Sequence, residues 1–469
     1  MHAAETTSTS SPPWARYPLH LVIREDALNI LCEREWCHEG PVTDRLDEAF
    51  IQGSQRTEFH LRFDLLPCPN TARGRFVLTG RAHTHTVSYT PQALIWGTSF
   101  QPFRCTKEVF LQSGYVATRW PDWSSQVDYQ PTFIHTPWDA SLMLGSLARQ
   151  LTAQQTWQRL PRIETFLRQR LHSRIVPDFQ QRIDDLLATF NRRLEALRSP
   201  AVSISHCLPQ QVVSNSTDDY LHLACGWSDW SAVYNPPDPR VLPLHSVLVF
   251  IHRTAIEQSF QRLARHRKQL SFDELQQQLK AWQPSRQFND PSRAITVPAG
   301  IPLQQLQLIF PDHPLTVQWD HESMHLQLSI DLVLSEDAQP LPLIIAWSGK
   351  LHRQDDTWQL ETQQLQLRSS QATSWPLPAL FNAIQENARQ TLERTAQFPR
   401  AWQLPLEQPT ITLCWETCLL HQEWLILGFD VRSGTTDTEI SREACAANQC
   451  TRRDSNPQPS VPKTDALSN

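Results

Sequence analysis

The chain has 469 residues, a net charge of −6, 40% hydrophobic residues and 19% charged ones. That length supports two or three domains with real hydrophobic cores, and the balance is that of a folded globular protein rather than a disordered one. Acidic and basic residues are interspersed without a basic stripe, which argues against a nucleic-acid partner; the cluster Arg262, Arg265 and Arg267 reads as a solvated helix face.

Residues 1–13 are polar, rich in Ser and Thr and without a hydrophobic core segment, so a disordered N-terminus over 1–14 and no signal peptide are expected. An apolar strand then runs into a short helix as Leu21-Val22-Ile23-Arg24-Glu25-Asp26-Ala27-Leu28-Asn29. The acidic turn Thr43-Asp44-Arg45-Leu46 predicts the start of a second helical piece. Strand signals follow at 58–66, 74–89, 107–118 and 124–134, long enough to imply a large antiparallel sheet that bends. A helical region is predicted over 138–198, divided into three pieces by Pro161 and Pro177. In its last piece Phe179, Ile183, Leu186, Leu187, Phe190, Leu194 and Leu197 recur at three- and four-residue spacing and make one apolar stripe.

Residues 199–235 return to strand, and Pro236, Pro237 and Pro239 mark a hinge. The opening pattern then recurs as Val249-Phe250-Ile251-His252-Arg253-Thr254-Ala255-Ile256-Glu257, with the acidic turn Phe272-Asp273-Glu274-Leu275 opening a helix to about 282. Strands are expected at 314–320, 324–334, 341–351 and 357–368, a helix at 378–396, and a closing hairpin at 410–417 and 424–431. The strict alternation Met324, Leu326, Leu328, Ile330, Leu332, Leu334 gives one strand face to the core and the other to water. After about 433 the chain is polar and without aliphatic periodicity, which predicts disorder. Its segment Arg452-Arg453-Asp454-Ser455-Asn456-Pro457-Gln458-Pro459 resembles peptides that arise when a reading frame runs through a tRNA gene. The fold class expected is α+β: two related modules, each a long curved antiparallel sheet packed on amphipathic helices. Module 1 is placed at 15–200, strands and hinge at 201–245, module 2 at 246–432, and the tail at 433–469.

Glycine is scarce. Only twelve occur, no two closer than six positions, so neither a dinucleotide fingerprint nor a Gly-x-Ser-x-Gly elbow fits. Gly349-Lys350 is followed by Leu351 where a phosphate loop requires Ser or Thr. No stretch approaches the roughly twenty apolar residues of a membrane span; 341–347 is the longest run and reads as a buried strand. The ten cysteines form no Cys-x-x-Cys; most read as buried small hydrophobes, with Cys414 and Cys418 on one face of a strand.

One zinc-protease signature is present, His321-Glu322-Ser323-Met324-His325. Its chemistry requires a helix, where histidines four apart reach one metal and the glutamate activates the bound water. The alternating residues on both sides predict a β-hairpin instead, which puts the histidines about 13 Å apart. His83 and His85 point to one side of a strand; they could make half of a metal site, but no partner is identifiable and they read as a polar strand face. Two Trp-x-Asp-Trp-Ser elements, starting at Trp120 and Trp227, read as plugs at the ends of curved sheets, with sugar stacking or the membrane interface as the functional alternatives. Asp184-Asp185 and Asp355-Asp356 fall on a helix face and in a turn. No catalytic residue, cofactor or metal is assigned, apart from the alternative metal set His321, Glu322 and His325.

The segments Ile23-Arg24-Glu25-Asp26-Ala27-Leu28-Asn29, Ile251-His252-Arg253-Thr254-Ala255-Ile256-Glu257 and Ser214-Asn215-Ser216-Thr217-Asp218-Asp219 resemble elements of uncharacterised planctomycete proteins, over roughly residues 18–432. In that family the opening runs close to Val-His-Glu-Ser-Ala-Leu-Asn. The resemblance implies an export signal, hence a start further upstream and an oxidising cell envelope. The order of strand, short helix, long strands and long amphipathic helix is also similar to the tubular lipid-binding (BPI-like) superfamily, in which a sheet wraps a helix and leaves an apolar groove. That resemblance implies non-enzymatic binding of a lipid or other apolar ligand. A structural or protein-binding envelope component and a zinc peptidase are the alternatives.

Overall fold

The computed structural model describes residues 13–112, 114–141, 144–198, 209–227, 232–266, 268–271, 307–320, 322–333, 339–369, 385, 397–404 and 411–433. In chain order the elements are β1 (Leu19–Arg24), α1 (Glu25–Cys32), β2 (Arg34–Leu46), β3 (Ala49–Leu66), β4 (Ala72–Tyr89), β5 (Leu94–Gln112), β6 (Tyr115–Thr118), β7 (Asp122–Ser125), β8 (Asp128–His135) and α2 (Leu144–Arg198). They continue as β9 (Gln211–Ser216), β10 (Tyr220–Gly226), β11 (Val247–His252), α3 (Arg253–His266), β12 (Gln269–Ser271), β13 (Gln307–Ile309), β14 (Leu315–Trp319) and β15 (Met324–Val333). The last are β16 (Leu341–Gln354), β17 (Thr357–Ser369), β18 (Gln397–Pro399), β19 (Ala401–Leu404), β20 (Ile411–His421) and β21 (Trp424–Ser433). The described residues are mostly antiparallel sheet with three α-helices.

Three sheets organise the described residues. A central sheet has the order β19-β20-β21-β11-β1-β10-β9, the first long sheet holds β2 to β8, and the second holds β12 to β18. The two strand-helix openings meet in the middle of the central sheet, where β1 and β11 pair antiparallel with Leu21 opposite Val249. Each is flanked on its outer side by a hairpin, β9-β10 beside β1 and β20-β21 beside β11. Each opening also leads through a short helix into one of the long sheets.

The residues shared by the two openings do structural work. Ala27 and Ala255 are buried at the start of α1 and α3, Ala27 in a cluster with Ile23, Ile30 and Ile411. Two residues on, Asn29 Oδ1 accepts the N–H of Phe63 at 2.8 Å, and Glu257 Oε1 accepts that of Val317 at 2.8 Å. Glu25 adds a third such bond, from Leu65 N–H. Phe63 and Leu65 lie beyond the last β2–β3 pair, Arg34 with Leu61, and β14 pairs with β15 alone. These side chains therefore close open sheet edges whose N–H groups would otherwise lack partners. The polar segment at 214–219 acts similarly. Ser216 Oγ donates to Leu66 O at 2.6 Å and accepts from Arg73 N–H, while Ser214 Oγ accepts from Ala72 N–H. They tie the central sheet to the β3–β4 turn.

The first long sheet is built from strands of 18, 18 and 19 residues, β3 to β5. Its inner face packs on α2 through Phe76, Leu78, Phe103 and Cys105 against Leu171, Ile175, Val176, Phe179 and Ile183. Lys107 sits on the same face, 1% exposed, with its ammonium 2.8 Å from Asp184 of α2. The second long sheet is joined to the central one by an aromatic stack: Trp358 lies over Trp415, centroids 4.8 Å apart, and donates its indole N–H to Trp415 O.

Five expectations need correction. The strands expected at 107–118 and 124–134 are each broken, the first after Gln112, where β5 turns into β6, and the second after Ser125, between β7 and β8. Residues 43–46 form no helix; they end β2, and the hairpin turns at Asp47 with φ 53°. The 144–198 region is one helix with Pro161 and Pro177 inside it. Both prolines are exposed, as are Trp157 and Ser173, whose carbonyls lose their helical donors because proline has no N–H. Leu186 and Phe190 are 51% and 47% exposed, so the apolar stripe is buried only up to Leu187; the side chains of Leu194 and Leu197 lie outside the described residues. Cys414 and Cys418 occupy opposite faces, because a bulge between Trp415 and Thr417 shifts the register from Asp430 to Leu427 by an odd step.

The helices expected at 272–282 and 378–396, the N-terminal residues 1–12 and the tail from 434 lie outside the described residues. Among those described, no helix is long and apolar enough to cross a membrane.

Candidate functional site

The β2–β3 turn, the β4–β5 turn, Tyr129 of β8 and residues 152–170 of α2 enclose a cavity of about 410 Å³. Hairpin geometry makes it. The β2–β3 turn is closed by Asp47 and Glu48, and the β4–β5 turn by Thr90, whose N–H and hydroxyl both reach Ala93 O. These tips stand beyond the apolar core, and α2 crosses in front of them. The apolar lining is Val42, Ile51, Ile95, Ile163, Phe166 and Leu167. Gly97 shapes the wall: a Cβ there would collide with the phenol oxygen of Tyr129, so only glycine lets that ring lie against β5. Burial raises the Tyr129 pKa, so the phenol stays protonated over the physiological range.

Charge gathers on the rest of the lining. Arg170 and Asp44 form an ion pair with both side chains largely buried, and Arg162 meets Asp47 at 2.7 Å. Burial draws the Arg170 pKa down and Asp44 pulls it back up. Arg159 and Glu48 also line the cavity and have no ion-pair partner among the described residues. Between the cavity and the apolar core, the inner face carries buried Thr57, Thr84, Ser99 and Gln101. Gln101 donates to Ser99 Oγ, and its Oε1 meets no protein donor. The site is thus amphipathic: apolar walls, a polar inner step and a set of arginines and carboxylates.

The zinc-protease signature falls where its helix is not formed. β14 ends at Trp319, Asp320 N–H donates to Ser323 O across a tight turn, and β15 starts at Met324. His321 lies outside the described residues. Glu322 pairs with Lys350, and His325 Nε2 lies 3.2 Å from Asp320 Oδ2. The backbone N–H of Glu322, together with His325 and the Ser323 N–H, holds the Asp320 carboxyl down to about 2. His325 lines a polar cleft of about 140 Å³ with Gln318, Gln327, Ser348 and Gln364. Among the described residues no three His, Cys, Asp or Glu side chains converge as a metal site would require.

The other sequence candidates are dispersed. His83 and His85 are exposed on the outer face of β4, His83 against Phe100. Trp123 stacks on Phe103 while Trp120 is 74% exposed. Trp227 is buried under Arg262, and the rest of its motif lies outside the described residues. Asp184 serves Lys107, and Asp355 makes a hairpin turn with φ 49°. Of the seven described cysteines, Cys105 and Cys414 are buried and the other five are half-buried.

Sequence reasoning missed a buried histidine cluster on one face of the central sheet. His20 Nδ1 lies 2.9 Å from His222 Nε2, and His252 bonds Thr254 and, at 3.0 Å, Glu423. Trp14, Tyr234, Phe250 and Trp424 pack around them, and the two covering segments are joined by Tyr234 N–H to Ala15 O. Burial lowers His20 to about 3 and His222 to about 4. The signal was the phase of the alternation: all three histidines stand at inward positions of apolar strands.

No family model and no curated protein matches the chain. Among solved structures it is similar to the crystal structure of a lipopolysaccharide binding protein, at 12% identity and a TM-score of 0.32, over 90% of this chain and 100% of that one.

Proposed function

We propose that the protein binds, without chemistry, an amphiphile in the cavity between α2 and the first long sheet. One observation carries this reading: a cavity of about 410 Å³ combines an apolar wall, Ile51, Ile95, Ile163, Phe166 and Leu167, with arginines. Its volume falls in the range of small-molecule sites. Each methylene moved from water into such a wall contributes about 0.8 kcal/mol. Arg159, the arginine without a carboxylate partner, suits an anionic headgroup, since an added anion there displaces no existing ion pair. The binding needs no nucleophile, general base or cofactor. The cell envelope is the compartment that the planctomycete resemblance implies for it.

The test is native mass spectrometry of protein purified from its own host without lipid-stripping detergent, paired with titration of a fluorescent fatty acid. A lipid-sized adduct released on denaturation, and saturable probe binding weakened by Phe166→Asp, are expected. A bare polypeptide mass together with unsaturable probe uptake would overturn the proposal in favour of a structural role. One zinc per chain lost in His321→Ala would turn it toward the peptidase.

A further inference from the structure

The first turns of α2 are amphipathic in the wrong direction for a soluble protein. Hydroxylated residues, Thr152 and Thr156, line the cavity on the sheet side, and Thr156 is 5% exposed. Leu144, Leu147 and Leu151, at i, i+3 and i+7, face solvent at 53%, 54% and 51% exposure. A helix folding only onto its own domain would place these the other way round. The preceding turn adds to the patch. Ser141 N–H bonds Trp138 O, and that carbonyl lies so close to Gly145 that a Cβ there would sit 2.7 Å from it. Trp138 is thereby held beside the first turn, 59% exposed; Phe133 of β8 is 54% exposed, and Trp157, 56% exposed, lies about 110° round the helix from the leucines.

We propose that this face docks the protein onto an anionic lipid bilayer. Charge selects that occupant. Residues 144–198 hold ten arginines and five carboxylates, a net of +5 in a chain whose total is −6. Arg159, Arg168 and Arg174 have no ion-pair partner among the described residues. Leucines and tryptophans followed by arginines are the composition of a helix lying in a membrane interface, with indoles at the headgroup level. A two-fold contact between copies through the same stripe would instead set two helices of charge +5 side by side. Arg159 and Arg162, which follow the leucines, also line the cavity, so a docked α2 presents the cavity to the headgroup layer. This last clause rests on the amphiphile-binding reading; the docking itself does not.

The experiment is co-flotation of the full chain with vesicles of phosphatidylcholine alone or mixed with phosphatidylglycerol, at low and high salt. Binding to the mixed vesicles, weakened by salt, is expected. Leu147→Asp/Leu151→Asp, at two exposed positions, should lower it by about a hundredfold. Absence of wild-type flotation, or equal flotation of the double variant, would overturn the proposal. So would a concentration-dependent dimer in sedimentation that the double variant abolishes, because the face would then belong to a second copy. Fatty-acid titration of the same proteins separates the two readings. Lost flotation with probe binding kept supports docking as a distinct function. Wild-type flotation without any probe binding supports docking while removing the cavity's role.

Discussion

His20 Nδ1 and His222 Nε2 lie 2.9 Å apart in two rings stacked at 17° near the middle of the central sheet. His20 Nε2 is 2.7 Å from the carbonyl of Tyr17, which only accepts, so Nε2 carries the proton. Neutral His20 then accepts at Nδ1 from His222 Nε2–H. Burial disfavours a further proton on either ring, and on His20 the neighbouring His222 adds to this, which accounts for the values of about 3 and about 4.

Stability should therefore depend on pH. Both folded values lie below the ordinary 6.5, so below 6.5 the unfolded chain binds protons that the native one refuses. The contribution is complete above about pH 6.5 and declines as pH falls toward 4, by up to about 1.4 kcal/mol per pH unit for each histidine. Urea unfolding at about pH 7 and about pH 5 should show a lower midpoint in acid. His222→Gln, which keeps a donor for His20 Nδ1, should flatten that dependence by about half; an unchanged slope would show that the pair does not control it.

The Lys107 and Asp184 pair separates two costs. Lys107 is 1% exposed while Asp184 is 44% exposed, so removing the carboxylate strands a buried ammonium, whereas removing the lysine leaves a carboxylate that water can reach. Asp184→Ala should destabilise by about 2–4 kcal/mol and Lys107→Met by less than half of that. Thermal or urea unfolding of both variants decides it, and equal losses would contradict the assignment.

What the sequence shows and what it hides divide along physical lines. The strands near 314–320, 324–334, 341–351 and 357–368 are legible because period-two alternation is local and each strand buries one face. At 43–46 a local signal loses to a long-range one: Thr43-Asp44 resembles a helix start, but Asp44 pairs with Ile51 in a thirteen-residue ladder. The bulge that flips Cys418 relative to Cys414 leaves no mark in composition. The cavity and the histidine cluster are least legible: strand register and the packing of α2 join Val42, Tyr129 and Phe166, and register joins His20, His222 and His252.

Proline inside α2 gives a direct test of that override. At Pro161 the ring is exposed and the carbonyl of Trp157 has lost its helical donor, while α2 continues in both directions. Alanine restores the bond and the helix preference, worth about 3 kcal/mol in an unconstrained helix, against about 1 kcal/mol for the freer unfolded chain. Pro161→Ala should raise stability by about 1–2 kcal/mol in urea unfolding. A loss would mean that the proline sets a bend the sheet requires.

Gly97 and Tyr129 link stability to the cavity. A methyl group at 97 cannot coexist with the phenol oxygen where it stands, and Tyr129 is 7% exposed, so its ring can yield only toward the open side. Gly97→Ala should cost about 1–3 kcal/mol by overpacking and also weaken fatty-acid binding as the ring enters the cavity. Tyr129→Leu in the same chain removes the collision and should restore both quantities part of the way, a coupling that a double-mutant cycle measures. If Gly97→Ala loses stability but the double variant gains nothing, the close approach is not what demands glycine there. If stability recovers while probe binding stays weak, the phenol itself belongs to the ligand's contact surface.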